Sequence, residues 1–213
     1  MNEFLILTFQ LCVLIFSIIV HEVSHGVVAL RLGDPTAKNL GRLTLNPLKH
    51  LDLFGSIILP ISLRLVGSPI FLGWAKPVPF NPHNLKNPKA GSGLIGAAGP
   101  LSNILVALVF GIIARIIYTT IGFAEAESLL RLMSGVVYIN VMLAIFNLLP
   151  IPPLDGSGIL FSILPVGSYR FQDFLTKYGF LILIAFLFIF RGFQVIEPII
   201  QTISRLILGP ALL

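Results

Sequence analysis

Long apolar runs separated by short polar loops extend along most of the chain. The first run extends from Phe4 to about Leu32, and later runs extend from about Ser92 to Ile121, from about Leu129 to Leu149 and onward from near Tyr178. A helix needs about 20 mostly apolar residues to cross the ~30 Å hydrocarbon core of a bilayer. The pattern therefore predicts four membrane-spanning helices.

A shorter apolar stretch, from Leu51 to Val66, contains Pro60 and leads into a proline-rich segment. Prolines at positions 69, 77, 79, 82 and 88 exclude a helix there and favour extended or turn backbone. We expect the short stretch to be re-entrant and the segment from Phe71 to Phe80 to form a strand-like loop. Such backbone at membrane depth must be covered by protein or line a wet cavity.

Together these segments predict an all-α polytopic membrane protein, a bundle of about five membrane segments with a re-entrant segment and a short strand-like loop. We expect residues 1–213 to form a single membrane-embedded domain. Its core extends over about 4–160, and a hydrophobic C-terminal segment extends over about 178–213. Arg191, Glu197 and Pro198 interrupt that last segment, so its remainder is either a kinked span or an interfacial helix.

Charged residues are sparse and unevenly distributed. They make up 11% of the 213 residues against 56% hydrophobic residues, far below the roughly 25% of soluble domains. The net charge of +5 arises in short loops at 31–50, 76–89 and 165–177, whereas the loop at 122–128 is acidic. Because cytoplasmic loops are enriched in lysine and arginine, we expect a multi-pass protein of the cell membrane with its N-terminus outside. Membrane orientation explains the basic loops, and no nucleic-acid partner is expected.

His21, Glu22 and His25 form an H-E-x-x-H pattern within the first apolar run. Residues at i and i+4 lie on one face of a helix, so both imidazoles can bind one zinc ion while Glu22 acts as general base. A charged residue at the centre of a membrane helix costs about 2.5–3.5 kcal/mol on insertion scales, which favours a bound partner. The alternative is that these polar residues merely emerge at the helix end.

A third protein ligand is expected, because catalytic zinc sites usually have three. Asp155 follows the run that ends near Leu149, in a sequence where prolines at 150, 152 and 153 stop the helix and Gly156 permits a tight turn. Such a turn can bring a carboxylate back into a helix bundle. Taken alone, Asp155 and Gly156 also fit a simple turn dipeptide.

At these motifs the chain resembles the site-2 protease family of intramembrane zinc metalloproteases, whose members combine H-E-x-x-H in one membrane helix with L-D-G at the end of a later one. The matching residues are His21, Glu22 and His25, then Leu154, Asp155 and Gly156. Three longer strings also match, from Gly73 to Pro82, from Ala98 to Asn103 and from Asn147 to Gly156. The resemblance covers most of residues 15–160 and is specific, since the four motifs occur in the right order.

The resemblance implies that His21, His25 and Asp155 hold one Zn²⁺ per chain and that Glu22 activates water. The implied reaction is hydrolysis of a peptide bond in or near a transmembrane helix of another protein, so that substrate and the lipid bilayer are the expected partners. The depth of His21 along its helix places the zinc site near the cytoplasmic side. The candidate substrate-binding residues are Asn147, Phe71, Leu72, Gly73 and Trp74.

Some interpretations stay open at this point. Asn147 is equally compatible with an interhelical hydrogen bond, and the segment around Trp74 with an interfacial anchor. Asn103 is expected to serve helix packing and capping, and His50 and His83 are expected to be solvated loop residues. A non-catalytic metal-binding scaffold and a cation transporter are rival functions, although an intact general base argues for catalysis. Substrate identity, regulatory trigger and oligomeric state do not follow from the sequence.

Overall fold

Helices form nearly all of the regular structure. The computed structural model describes residues 3–58, 62, 65 and 75–209. The described α-helices are α1 (Glu3–Arg31), α2 (Thr36–Asn39), α3 (Pro88–Thr120), α4 (Phe123–Asn147), α5 (Asp155–Ile163), α6 (Tyr169–Ile184) and α7 (Gly192–Leu208). Short 3-10 helices lie at Pro47–Lys49 and Pro82–Asn84, and π-helical turns lie at Leu53–Ile58 and Ala185–Ile189.

Four helical segments of the described chain are long and apolar enough to cross a membrane. They are Phe4–Arg31, Pro88–Thr120, Phe123–Asn147 and Tyr169–Ile189. Each contains or overlaps one of the four long apolar runs. The prediction of an all-α polytopic membrane bundle is therefore confirmed.

The predicted strand-like loop and re-entrant stretch lie only partly within the described residues. Phe71, Leu72, Gly73 and Trp74 are outside them, and residues 75–80 take an irregular path. The stretch predicted to be re-entrant opens with the π-helical turn at Leu53–Ile58, and most of its remaining residues lie outside the described ones. No β-strand occurs in the part of the chain that the structure describes.

The helix α4 begins earlier than its apolar run suggested. Gly122, with a φ of 96°, precedes its first residue, Phe123. Glu125 and Glu127, predicted to lie in a loop, belong to the first two turns of this helix. The positive end of the helix dipole favours acidic side chains there, so polar residues outside the apolar run still form part of the helix.

The two C-terminal helices differ from each other in length of apolar sequence and in packing. The helix α6 begins at Tyr169 instead of near Tyr178, because its first turns carry exposed polar residues that an apolar run does not include. The helix α7 is not among the four candidate spans. It buries one face with a four-residue repeat, at Ile196, Ile200, Ser204 and Leu208, and contacts α3 and α4.

The helix α3 is central to the packing, since it contacts α1, α4, α5 and α7. Its alanines 107 and 114 lie in the main apolar core, which they share with α4 and α7. The other buried members of this core are Ala126, Leu130, Val137, Val141, Ile196, Ile200 and Leu208. This packing fixes α3 against α4, and each of these two helices carries a buried asparagine, Asn103 on α3 and Asn140 on α4.

Candidate metal centre

The helix α1 carries the first two candidate ligands on one face. His21 and His25 are one helical turn apart, and their side chains are buried, with 6% and 8% of their surface exposed. Their rings lie edge to face, with centroids 4.7 Å apart. The i and i+4 spacing therefore brings both imidazoles to a single point inside the bundle.

The third candidate, Asp155, opens the helix α5. The chain turns at the end of α4, at residues 148–154, and Leu154 is the N-cap of α5. Asp155 is thus the first residue of a helix, and the simple turn dipeptide is not the structure that forms. A Cβ on Gly156 would lie 2.2 Å from the Leu148 carbonyl oxygen. Glycine is required there by this close approach of α5 to the end of α4.

The three candidate ligands converge. Oδ2 of Asp155 lies 2.9 Å from Nε2 of His21 and 3.3 Å from Nε2 of His25. One ligand atom from each residue lies within 4.8 Å of the others, and no further such cluster occurs within the described residues. Oδ2 is also buried without a hydrogen-bond partner in the described part of the chain. A buried carboxylate oxygen of this kind needs a cationic partner.

Two glycines of α3 make room for this cluster. A Cβ on Gly99 would lie 2.5 Å from Nε2 of both His21 and His25, and a Cβ on Gly96 would lie 2.9 Å from the Asp155 carbonyl oxygen. Both distances are below ordinary van der Waals contact. The backbone of α3 therefore closes directly over the ligand atoms, and any side chain at Gly99 would enter the space between them.

The other ring nitrogens fix the tautomers of both histidines. Nδ1 of His25 lies 2.6 Å from the Ile95 carbonyl oxygen, which can only accept, so Nδ1 carries the proton. Nδ1 of His21 lies 2.7 Å from Oδ1 of Asn103. The Asn103 amide nitrogen donates to the carbonyl of Ser17 at 3.3 Å, which orients the amide with its oxygen toward His21. Both Nε2 atoms therefore keep a free lone pair for a metal ion.

Asn103 and Asn140 extend this support into α4. Both are fully buried. The Asn103 amide donates to Oδ1 of Asn140 at 3.0 Å, and the Asn140 amide donates to the Val136 carbonyl at 2.9 Å. The sequence did not predict that Asn103 contacts a candidate ligand. A polar residue within an apolar run was the available signal, but it does not reveal the partner.

The donor set suits zinc. Two neutral imidazoles and one carboxylate match the three protein ligands of catalytic zinc sites. The lone pairs face one another, the hydrogen bonds behind them orient the rings, and the unpartnered Oδ2 of Asp155 points into the same space. The residues present therefore fit a zinc ion.

Glu22 is half-buried and lies beside the cluster on α1. Its Oε2 accepts a hydrogen bond from the backbone N–H of Val78 at 2.7 Å. Residues 76–78 thus cross the H-E-x-x-H motif, and we name them the strap. This contact joins residues 56 positions apart, and sequence patterns gave no sign of it.

Asn147 and the loop histidines are not members of the cluster. The amide of Asn147 donates to the Leu143 carbonyl of its own helix at 2.9 Å, instead of to a neighbouring helix. Phe71, Leu72, Gly73 and Trp74 lie outside the described residues. His83 is exposed as expected, but His50 is only 2% exposed and Nε2 of its ring bonds to the Thr44 carbonyl at 2.8 Å. The expectation that His50 is solvated was wrong, because its loop folds back over its own ring.

A buried carboxylate fixes the loop after α1. Asp34 is fully buried and accepts hydrogen bonds from the backbone of Thr36 and Asn81 and from the Asn84 side chain, at 3.1, 2.6 and 2.7 Å. Burial raises the pKa of Asp34, but the hydrogen bonds from Thr36, Asn84 and Asn81 outweigh it and hold the pKa below its ordinary value. Asp34 thereby joins the end of α1 to the segment that comes after the strap.

Comparison with known proteins agrees with this geometry. A family model, Peptidase family M50, matches residues 113–189. YwhC of Bacillus subtilis, named as a zinc metalloprotease, is 35% identical over 192 residues, covering 88% of this chain and 84% of YwhC. Rip2 of Mycolicibacterium smegmatis, named in the same way, is 31% identical over 176 residues, covering 81% of this chain and 64% of Rip2. No solved structure gives a significant match. Since the similarity to YwhC extends over most of both chains, this protein belongs to the site-2 protease family of zinc metalloproteases, Peptidase family M50.

Proposed function

We propose that this protease hydrolyses peptide bonds in or near transmembrane segments of other membrane proteins. The observation that supports this most directly is the convergence of His21, His25 and Asp155 at one buried point, with two of the three on an apolar helix long enough to span the bilayer. A hydrolytic centre on such a helix suits a substrate that is itself in the membrane. The three residues are the proposed ligands of one zinc ion per chain.

The proposed ligands leave the metal with a net positive charge. When bound, zinc supplies a Lewis acid for the scissile carbonyl and lowers the pKa of water toward about 7. His21 and His25 contribute Nε2 lone pairs because their Nδ1 protons are engaged by Asn103 and Ile95. Asp155 contributes the buried Oδ2.

Glu22 is the proposed general base. It follows His21 directly on α1, is half-buried and is not a member of the three-ligand cluster, which supports a role as base instead of ligand. The Val78 N–H engages Oε2 and keeps the carboxylate oriented. Oε1 is the oxygen that would take the proton from the attacking water and return it to the leaving amine.

The test of this proposal is Glu22→Gln in the full-length protein, assayed on a membrane-protein substrate in vesicles. The amide keeps the shape but cannot take a proton, so cleavage should fall by about 10²-fold or more while zinc content and membrane insertion stay unchanged. Glu125→Gln, at an exposed position of α4, is the matched control. Retained cleavage would exclude Glu22 as the base, and loss of zinc would show a structural role. Zinc flux into the vesicles without cleavage would favour a transporter.

We further propose that the N-terminus lies outside and the zinc site lies toward the cytoplasmic side. The basic loops at 31–50 and 76–89 support this orientation. In a Cys12→Ser background, cysteines introduced at Lys38 and Lys86 should react with impermeant reagents only from the cytoplasmic side. Labelling of both positions only from outside contradicts this orientation.

Residues 71–82 are proposed to hold the substrate in extended form. A membrane helix satisfies its backbone groups internally, so an unwound substrate needs new partners, and pairing with a strand edge offers them. The Lys76 N–H already donates to the His50 carbonyl at 2.9 Å, so the proposed pairing would involve positions before Lys76. Leu72→Pro and Trp74→Pro should then reduce cleavage far more than zinc binding, whereas unchanged turnover in both would leave the segment as a surface anchor. Asn147 stays a candidate for contact with the substrate backbone.

A further inference from the structure

The strap is held at each of its three residues. The Lys76 N–H donates to the His50 carbonyl at 2.9 Å. The Lys76 and Pro77 carbonyls accept from the Arg42 guanidinium at 2.7 and 3.3 Å, and the Val78 N–H donates to Glu22. Pro77 has no N–H, and the N–H of Lys76 is bound to His50. The Val78 N–H is therefore the strap amide that donates to the H-E-x-x-H motif.

Arg42 is the part of this arrangement that packing alone does not explain. Its side chain is only 7% exposed, although burying a charge is costly unless it is well partnered. One terminal nitrogen, Nη2, reaches two successive carbonyls. The N–H bonds of Nη2 are fixed in the plane of the guanidinium, whereas the ammonium of lysine rotates freely about its stem. Arg42 therefore sets the position of the peptide groups directly before Val78.

Gly26 lets the strap reach α1. A Cβ on Gly26 would lie 2.9 Å from Cγ1 of Val78 and 2.5 Å from Cδ2 of Leu43. Gly26 is one helical turn after Glu22, on the same face. The Val78 side chain consequently packs on Gly26, buried with 6% of its surface exposed, while its N–H reaches the Glu22 carboxylate.

We propose that Arg42 is a positioning residue for the general base. It holds the Lys76 and Pro77 carbonyls so that the Val78 N–H fixes the Glu22 carboxylate in the orientation that proton transfer needs. This inference rests on the proposed role of Glu22. Arg42 holds the strap, which follows the positions before Lys76 that are proposed to pair with substrate, so its effect should fall on the rate of the chemical step.

The first test measures the kinetics of Arg42→Ala in the full-length protein in vesicles. Loss of the base's orientation should lower kcat by roughly 10-fold, a fraction of the 10²–10⁴-fold that a positioned base contributes, with KM and zinc content unchanged. Arg42→Lys should recover part of the loss, because an ammonium can still donate to one carbonyl. Arg31→Ala, at an exposed arginine of α1, is the matched control and should match the wild-type rate.

The second test monitors the strap itself. In a Cys12→Ser background, a cysteine replacing Val78 should react slowly with a maleimide because this position is buried. Adding Arg42→Ala should accelerate the labelling several-fold, whereas adding Arg31→Ala should leave it unchanged. Val78→Pro removes the amide proton directly and should lower kcat even with Arg42 intact.

The outcomes separate this inference from the proposed function. If Glu22→Gln still cleaves, the assignment of the base fails, whatever the strap does. If Glu22→Gln is inactive but Arg42→Ala keeps the wild-type kcat, the role of Arg42 is wrong and the base stands. Loss of zinc in Arg42→Ala, a change confined to KM, or unaltered labelling at position 78 would each overturn the inference as well.

Discussion

The side-chain amide of Asn103 places its oxygen 2.7 Å from Nδ1 of His21, joining α3 to the candidate metal centre on α1. Asn103 is fully buried and is itself held by Ser17 and Asn140. Hydrogen bonds behind a metal-binding histidine orient its ring and select its tautomer. The polar core of the bundle and the candidate metal centre are therefore one connected structure.

This contact predicts that Asn103→Ala weakens zinc binding by about 10–100-fold, the usual effect of removing such a partner. The variant also leaves Nδ1 of a buried histidine without its acceptor. Zinc affinity in detergent micelles, measured by competition with a chelator, tests the prediction. Asn147→Ala is the matched control, since Asn147 bonds only to its own helix within the described residues. An Asn103→Ala affinity equal to that of the control would count against the role of this hydrogen bond.

A side chain at Gly99 should disable the site without disrupting the rest of the bundle. In Gly99→Ala the new Cβ would lie 2.5 Å from both Nε2 atoms, so the imidazoles must move apart. A displacement of about 1 Å can cost 10²-fold in rate, and we expect a loss of that order together with weaker zinc binding. Gly135→Ala, where a Cβ meets nothing within 4 Å, should leave both unchanged. Normal zinc content and cleavage in Gly99→Ala would mean that the helices are farther apart than described.

The start of α5 gives a second glycine comparison within a single helix. A Cβ on Gly156 would lie 2.2 Å from the Leu148 carbonyl oxygen, whereas one on Gly158 would lie 3.7 Å from its nearest neighbour, the Ser92 carbonyl oxygen. Gly156→Ala should therefore lower the melting temperature and displace Asp155, with overpacking costing about 1–3 kcal/mol. Gly158→Ala should behave like the wild type. Thermal unfolding of both variants, with and without zinc, distinguishes them, and equal stabilities would contradict the predicted contact.

The loop after α1 should lose stability in acid. Because hydrogen bonds lower the pKa of Asp34, its contribution is fully present above the ordinary aspartate pKa of about 3.9. That contribution is lost as the pH falls through the lower pKa of the folded state. At neutral pH, Asp34→Asn should cost about 1–3 kcal/mol, because an amide cannot accept from all the donors that the carboxylate satisfies.

The measurement for Asp34 is the melting temperature across pH, with Asp173→Asn, an exposed position on α6, as the control. The difference between wild type and Asp34→Asn should be constant around neutrality and shrink only in the acidic range. A constant difference down to about pH 2, below the ordinary aspartate pKa, would contradict the predicted protonation.

Much of the fold could be predicted because membrane helices are recognisable by length and composition. The residues His21 and His25 were predicted as a pair because an i and i+4 spacing places side chains on one face whatever the fold. The third candidate ligand needed the resemblance, since prolines followed by Asp155 and Gly156 fit a turn as well as the helix start that forms. Helix ends were less predictable where polar residues extend a helix beyond its apolar run, as at Tyr169.

The contacts between distant segments could not be predicted from patterns. Asn103 and His21 are 82 positions apart, and Val78 and Glu22 are 56 apart. Each contact depends on how closely two segments approach. A glycine such as Gly99 permits a close approach, but the sequence does not show which helix approaches it. Periodicity gives the buried face of a helix but does not identify its neighbour.

The buried chain from His21 through Asn103 to Asn140 also bears on how the protein is made. An unpaired polar group in hydrocarbon is costly, and these three residues satisfy one another only when α1, α3 and α4 are together. Each helix inserted alone therefore carries a polar side chain that lipid cannot satisfy. During biogenesis, a chain whose helices have not yet packed together would expose these polar side chains to lipid. That exposure distinguishes it from a chain in which the helices have assembled.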